Sequence, residues 1–278
     1  MMKVFRSSML LYFGLIILGV LLVIPFFVTI ETMDGKIFPL GSEPLQPVSA
    51  VLILVIWVLI SALIATRRAA KLSARIVRLY TQECDPYTYI DKYEKILKRW
   101  IGNARNYVLL NLSSGYLATE NLQKAKQTLD SVGKLSNKKA GLQNQVVYYN
   151  NLCAYFLQLN DIASAEKMLE SMLGVLRDKK FSKLQYDYLY NYYIGKQYCI
   201  NLAKGNYVGA EEVFLIQFNR EKSKLGKVVA KYQLGIIYFN LKRIEEALEA
   251  FEYVVNNGNK TYYVGKSIDF INQCSGAV

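Results

Sequence analysis

The stretch KYQLGIIYFNLKRIEEALEAFEYVV, Lys231–Val255, decides the fold of this chain. Its apolar residues recur at helical spacing in two short segments, which predicts two helices packed against each other. The first segment carries a Leu-Gly pair at 234–235, with Tyr238 three residues after the glycine. The second carries Ala247, with Phe251 four residues later. Small residues let two helices approach closely, while aromatic residues fill the space between neighbouring hairpins.

Two earlier segments, at about 103–135 and 144–176, carry the same pattern. In each of the three segments, the aromatic residue of the first helix precedes the alanine of the second by nine residues. The pairs are Tyr116 and Ala125, Phe156 and Ala165, and Tyr238 and Ala247. This constant offset indicates an internal repeat.

A further copy, between the second segment and the last, fits the pattern less well. Ala210 and Phe214 have the expected spacing, but Tyr198 lies three residues too early for the aromatic position. Two explanations are open. Either the first helix of this unit is longer, or its register differs and Tyr198 takes the position that the other units give to a small residue.

The Leu-Gly pair, the following tyrosine and the later Ala-x-x-x-Phe together resemble the tetratricopeptide repeat. The resemblance covers about residues 103–256. It implies an all-α fold in which residues 103–278 form an α-solenoid of about four helical hairpins, closed by a C-terminal capping helix over Thr261–Asn272. The alanines of successive units are 40, 45 and 37 residues apart, whereas the usual period is about 34. The connections should therefore be longer than in the family.

The resemblance also implies a binding groove, because tetratricopeptide domains commonly bind peptides or partner helices along their first helices. The residues that it places in this groove are Tyr107, Leu110, Asn111, Val147, Asn150, Asn151, Tyr192, Lys196, Tyr232 and Ile236. Such an apolar, tyrosine-rich wall would suit an extended peptide or an apolar helix face. The alternative is ordinary packing between helices, since the chain has 22 tyrosines.

Two apolar runs near the N-terminus, at about 10–30 and 48–66, predict transmembrane helices. Each approaches the roughly 20 apolar residues that cross a bilayer as a helix. Residues 1–66 would then be a membrane anchor with a short external loop. A cleaved signal peptide is the alternative for the first run, but its apolar core is longer than the roughly 7–15 residues of a signal peptide.

Basic residues follow the second run and predict the orientation of the chain. They are Arg67, Arg68, Lys71, Arg75 and Arg78. The positive-inside rule places both termini and the solenoid in the cytoplasm, and the compact layout favours a bacterial plasma membrane. Residues 67–102 would form a juxtamembrane basic helix and an N-terminal capping helix that begins at Asp85-Pro86. The basic residues either only fix this topology or also bind anionic head groups.

The composition excludes several kinds of chemistry. The chain contains no histidine, so Ser-His-Asp and Cys-His catalytic arrangements are impossible. Its four cysteines are far apart and form no C-x-x-C pair, which argues against a zinc site. No phosphate-binding loop or nucleic-acid motif accompanies the net charge of +12. We therefore expect no enzyme activity, no cofactor, no metal and no nucleic-acid partner.

The sequence thus predicts a membrane-anchored scaffold or adaptor that binds a protein or peptide partner at the cytoplasmic face of the membrane. Two alternatives fit the same features. One is a membrane sensor that responds to a peptide, and the other is an accessory subunit of a membrane protein complex.

Overall fold

The computed structural model describes residues 13–14, 16–18, 29–31, 37–39, 47–98, 102–177 and 181–275 of the chain. The chain divides into two compact units, Met1–Arg75 and Ile76–Val278. We call the second unit the helical body. Over these residues the fold is all-α apart from one short pair of strands, which agrees with the all-α class predicted from the sequence.

The two strands lie in the first unit. β1, Thr29–Glu31, pairs antiparallel with β2, Ile37–Pro39, so that Ile30 lies opposite Phe38. The short external loop predicted between the two apolar runs therefore contains a pair of strands. Branched and aromatic residues favour strand pairing, and Pro39 lies at the end of its strand, where the missing N–H is tolerated.

Helix α1 extends over Pro47–Thr81 without interruption. The predicted span at 48–66 lies within α1, whereas most of the predicted span at 10–30 lies outside the described residues. Within the part of the chain that the structure describes, no helix is long and apolar enough to cross a membrane. The two predicted transmembrane helices are therefore not supported by the structure.

Ten further helices are described after α1. They are α2 (Pro86–Leu97), α3 (Gly102–Ala118), α4 (Leu122–Asp130), α5 (Lys139–Gln158), α6 (Ile162–Leu176), α7 (Lys183–Ala203), α8 (Ala210–Arg220), α9 (Lys224–Asn240), α10 (Ile244–Asn257) and α11 (Tyr262–Ser275). Helices α3 to α10 form four successive hairpins. In each hairpin we call the odd-numbered helix the first helix and the even-numbered helix the second. Each second helix also packs against the first helix of the next hairpin, and α10 packs against α11.

Helix α2 begins as its sequence predicts. Asp85 is the N-cap, and its carboxylate accepts hydrogen bonds from the Thr88 backbone N–H at 3.0 Å and the Thr88 hydroxyl at 2.9 Å. The structure ends α2 at Leu97, before the predicted limit at residue 102, and Gly102 begins α3. The first turn of a helix lacks intrahelical partners for its N–H groups, so glycine is tolerated there.

All four hairpins make the same turn, which settles the register of the third. One residue with positive φ ends each first helix: Glu120, Asn160, Gly205 and Lys242. The N–H of the next residue then donates to a carbonyl five residues back, at 2.9 Å in every case. These carbonyls belong to Tyr116, Phe156, Asn201 and Tyr238. Asn201 therefore occupies the aromatic position of the third hairpin, and Tyr198 occupies the position of the small residue.

The small-residue position faces the second helix, so its occupant controls how closely the helices approach. In the fourth hairpin, a Cβ on Gly235 would lie 2.6 Å from the Phe251 ring. In the third hairpin, the Tyr198 ring instead meets Phe214 edge-on, with 6.5 Å between the ring centroids. The two helices of the third hairpin are accordingly less extensively packed than those of the fourth.

We expect Gly235→Ala to destabilise the helical body, because the added methyl group must displace the Phe251 ring. Overpacking of this kind costs about 1–3 kcal/mol. The matched control is Gly174→Ala in α6, where no atom lies within 4 Å of the added Cβ. Alanine should stabilise that helix by up to about 1 kcal/mol. Urea unfolding of both variants measures the difference, and equal stability would contradict this packing.

Candidate functional site

The predicted groove residues lie on one face of the first helices α3, α5, α7 and α9, which we call the inner surface. Three of them are buried: Leu110, Asn151 and Tyr232. Five are half-buried: Asn111, Val147, Asn150, Lys196 and Ile236. Only Tyr107 and Tyr192 are exposed, with 43% and 37% of their surface accessible. Most of the predicted set therefore contacts other parts of the chain.

Asn151 joins the first two hairpins. Its side-chain amide lies 3.0 Å from the Leu110 carbonyl, 3.0 Å from the Ser113 hydroxyl and 2.9 Å from the Ser114 hydroxyl, and it donates to these acceptors. Its own carbonyl oxygen accepts from the Asn150 amide at 3.1 Å. Asn151 is 3% exposed. A buried polar side chain needs such partners, so this asparagine holds α5 against α3.

Two more predicted residues are covered by neighbouring helices. The Tyr89 hydroxyl of α2 donates to the Asn111 side chain at 2.9 Å. The Tyr232 ring is surrounded by aromatic rings, with centroids 5.1 Å from Tyr263 and 6.5 Å from Phe270 of α11. Helices α2 and α11 thus cover opposite ends of the inner surface.

Tyr80, in the last turn of α1, lies between the first and the last hairpin. It packs against a core cluster that includes Tyr89 and Tyr116, and also against a cluster that includes Phe251 and Cys274. Its hydroxyl donates to the Ser114 carbonyl at 3.2 Å. Burial raises the pKa of Tyr80 well above its usual range. The hydroxyl is therefore neutral and serves as a hydrogen-bond donor.

The residues after Tyr80 continue across the body and bind α9. We call Tyr80–Asp85 the inner segment. The Gln82 side-chain amide donates to the Lys222 carbonyl at 3.4 Å. Its carbonyl oxygen accepts from the Lys224 N–H at 3.3 Å. The start of α9 is thereby linked to the end of α1.

The rest of the inner segment binds the turn between α10 and α11. The Glu83 carbonyl accepts from the Asn259 side chain at 2.7 Å, and the Cys84 carbonyl accepts from the Lys260 N–H at 3.2 Å. The Lys260 ammonium lies 2.7 Å from the Asp85 carboxylate. Cys84 itself is fully buried and has a φ of 50°. The segment therefore reaches the far end of the hairpins from the helix that precedes them.

Helix α11 makes a second link between the two ends. Its Lys266 ammonium lies 3.0 Å from the Glu120 carboxylate in the turn of the first hairpin. Phe270 of α11 stacks on Phe251, with centroids 4.8 Å apart and planes 2° apart. The last helix thus contacts both its own neighbour and the first hairpin.

An exposed face on α7 contains the predicted groove residue Tyr192 and two further residues, Leu184 and Tyr188, that the repeat pattern did not indicate. Leu184, Tyr188 and Tyr192 follow one another at intervals of four residues, which places them on one side of the helix. They are 81%, 62% and 37% exposed. The Tyr188 and Tyr192 hydroxyls are 2.9 Å apart, and their rings meet edge-on. The four-residue spacing of Leu184, Tyr188 and Tyr192 is a signal that the sequence alone contains. We call these three residues the tyrosine face.

The thiols of the helical body are not activated. Burial raises the pKa of Cys153 to about 11, although nearby Lys196 opposes this. Burial likewise raises the pKa of Cys199. Both thiols are therefore protonated at neutral pH and are poor nucleophiles. Among the residues that the structure describes, no group of His, Cys, Asp or Glu side chains could hold a metal ion.

The basic residues of α1 form an exposed stripe. Arg67, Arg68, Lys71, Arg75 and Arg78 all have exposed side chains. Helical geometry places them within about 100° of one another around the helix axis. None of the ion pairs found in the described regions involves them. Their charges face solvent.

Comparisons with protein-family models, with curated proteins and with solved structures found no match for this chain.

We expect Asn151→Ala to destabilise the helical body by about 1–3 kcal/mol, because it leaves buried hydrogen-bond partners without a donor. Asn150→Ala is the matched control. It removes one hydrogen bond of a half-buried side chain, so its cost should be at most about 1.5 kcal/mol. The urea midpoints of the two variants test this difference. Equal shifts would show that Asn151 does not hold the first two hairpins together.

Proposed function

We propose that this chain is a membrane-anchored scaffold of tetratricopeptide-like hairpins that binds a protein or peptide partner. The hairpins and both termini would lie on the cytoplasmic side of a plasma membrane, of bacterial type. The observation that carries the binding role is the tyrosine face, which is apolar, exposed and carried on a rigid helix. The proposal assigns no catalysis, cofactor, metal or nucleic acid to the chain, because histidine and the relevant motifs are missing from its sequence.

The repeat assignment is supported by one offset that recurs in all four hairpins. With Asn201 in the aromatic position, each unit has an alanine nine residues later: Ala125, Ala165, Ala210 and Ala247. All four alanines are fully buried. A large apolar residue follows each alanine by four residues: Leu129, Leu169, Phe214 and Phe251. Repetition of buried positions at fixed spacing favours a stack of similar units.

Membrane attachment is supported by the apolar side chains that α1 exposes. Seven large aliphatic side chains in its first half are between 44% and 64% exposed: Leu52, Val55, Ile56, Leu59, Ile60, Leu63 and Ile64. Soluble proteins rarely expose so large a continuous apolar surface. The basic stripe follows these residues directly, as expected at the cytoplasmic end of a membrane segment. It would also attract anionic lipid head groups.

The tyrosine face suits a protein partner for a physical reason. Tyrosine offers a broad contact area and a hydroxyl group while losing little conformational entropy on binding. Tyr188 and Tyr192 already restrain each other through their hydroxyls and rings. A partner would therefore meet a surface that is partly ordered before binding.

We expect Tyr188→Ala combined with Tyr192→Ala to reduce partner capture at least tenfold in the native host. The measurement is quantitative crosslinking of the full-length protein in its membranes. Val208→Ala combined with Leu241→Ala is the matched control, because these side chains are also exposed and apolar, at 83% and 46%. The control should capture the same partner as the wild type. Equal capture by all three proteins would remove the tyrosine face from the proposal.

A second candidate function is a membrane sensor that responds to a peptide. One observation favours it. Helix α1 has no break between Pro47 and Thr81, and Tyr80 in its last turn donates a hydrogen bond to the Ser114 carbonyl of α3. A ligand that changed those contacts would act directly on α1. A saturable change in the exchange rates of α1 amide protons on peptide addition would distinguish a sensor from a passive scaffold.

A further inference from the structure

We infer that the inner segment, Tyr80–Asp85, is a built-in ligand of the inner surface, and that a partner peptide reaches this surface only by displacing it. Such a partner would be the end of a helix that carries, in this order along its sequence, a tyrosine, a side-chain amide and a carboxylate, as Tyr80, Gln82 and Asp85 do. This inference rests on the proposed binding role of the hairpins. It does not depend on attachment to a membrane.

The contacts of the inner segment resemble those of a bound peptide. Its groups bind three separate places on the hairpins: Ser114 in α3, the start of α9, and the turn before α11. Two backbone carbonyls, of Glu83 and Cys84, accept from groups of the α10–α11 turn. Peptide recognition commonly combines such backbone hydrogen bonds with pockets for single side chains.

Two side chains anchor the segment in pockets. The Tyr80 ring stacks on Tyr89 with centroids 4.8 Å apart and contacts the clusters at both ends of the body. The Cys84 side chain is fully buried within the cluster that contains Phe251 and Cys274. The inner surface therefore has one aromatic pocket and one small apolar pocket.

Most polar contacts of the inner segment are exposed to solvent, so a competing peptide could replace them. The Gln82 hydrogen bonds are 3.3 and 3.4 Å long and solvent-exposed. In the Lys260–Asp85 pair the lysine side chain is 54% exposed and the aspartate side chain 14% exposed, so solvent reaches this ion pair from the lysine side. Cys84 adopts a φ of 50°, which is unfavourable for a residue other than glycine. The segment thus contains one strained residue and is held by two pockets and by polar contacts that are partly exposed to solvent.

The charge around the segment selects the partner. The Lys260 ammonium contacts the inner segment directly, and the positive charge of Lys224 acts electrostatically on Cys84. The acidic groups of the segment are Glu83 and Asp85, and Asp85 pairs with Lys260. A competing peptide should therefore carry a carboxylate at the position of Asp85. A tethered segment has a high effective concentration, so the wild-type chain should bind a free peptide only weakly.

The experiment uses the full-length chain and a fluorescent peptide with the sequence of residues 74–87, ARIVRLYTQECDPY. The variant combines Tyr80→Ala with Gln82→Ala, which removes the Tyr80 ring and the Gln82 hydrogen bonds from the tethered segment and replaces no residue of the surface that it contacts. We expect the variant to bind the peptide saturably, with an apparent Kd at least tenfold lower than that of the wild type. Adding Lys260→Ala to the variant should weaken peptide binding again.

Two controls make the result decisive. A peptide with alanine at the positions of Tyr80 and Asp85 should not bind the variant. Gln82→Ala alone, which removes only exposed hydrogen bonds, is the second variant and keeps the test valid if the double variant unfolds. It should bind the peptide more tightly than the wild type does.

Three outcomes would overturn the inference: a folded variant that binds no better than the wild type, equal binding of the control peptide, or unfolding of both variants. Unfolding of both would show that the segment is an inseparable part of the core. Failure here is distinguishable from failure of the proposed function, because capture through the tyrosine face is measured separately and does not require the inner segment to leave.

Discussion

Tyr80 packs between the first and last hairpins, and this contact joins the two ends of the helical body. In a stack of hairpins each hairpin contacts only its neighbours. The first and the last hairpin therefore contact each other only if another segment lies between them. Tyr80 supplies that link, since its ring packs on clusters at both ends and its hydroxyl binds the Ser114 carbonyl. The Lys266–Glu120 ion pair adds a second connection. The two ends of the inner surface are consequently covered by the chain itself.

The coverage of the inner surface by other parts of the chain limits where a partner can bind. The resemblance to tetratricopeptide repeats implies a groove along the first helices. Asn151, however, is buried against α3, and Tyr232 is buried against α11. The tyrosine face of α7, in contrast, is exposed. We therefore propose two surfaces with different properties: an open tyrosine face, and an inner surface that is available only when the inner segment leaves.

The sequence predicted the helices well because the signals for them are local. The nine-residue offset, the Asp85-Pro86 start and the unbroken stretch of α1 each depend on residues close in the chain. The site was harder to predict, because a repeat pattern cannot show that a segment before the repeats folds back onto them. The contact between Lys260 and Asp85 joins residues 175 positions apart. The register of the third hairpin was also hidden, since Asn201 replaces the expected aromatic residue.

The most direct test of this organisation is hydrogen exchange of the full-length protein with Tyr80→Ala, compared with Tyr192→Ala. Tyr192 is an exposed tyrosine of the same body and serves as the reference. If Tyr80 joins the two ends, its loss should speed exchange in α3 and in α9 to α11 together, at least tenfold, while Tyr192→Ala leaves both regions unchanged. Faster exchange confined to α1 and α2 would contradict the central role of Tyr80.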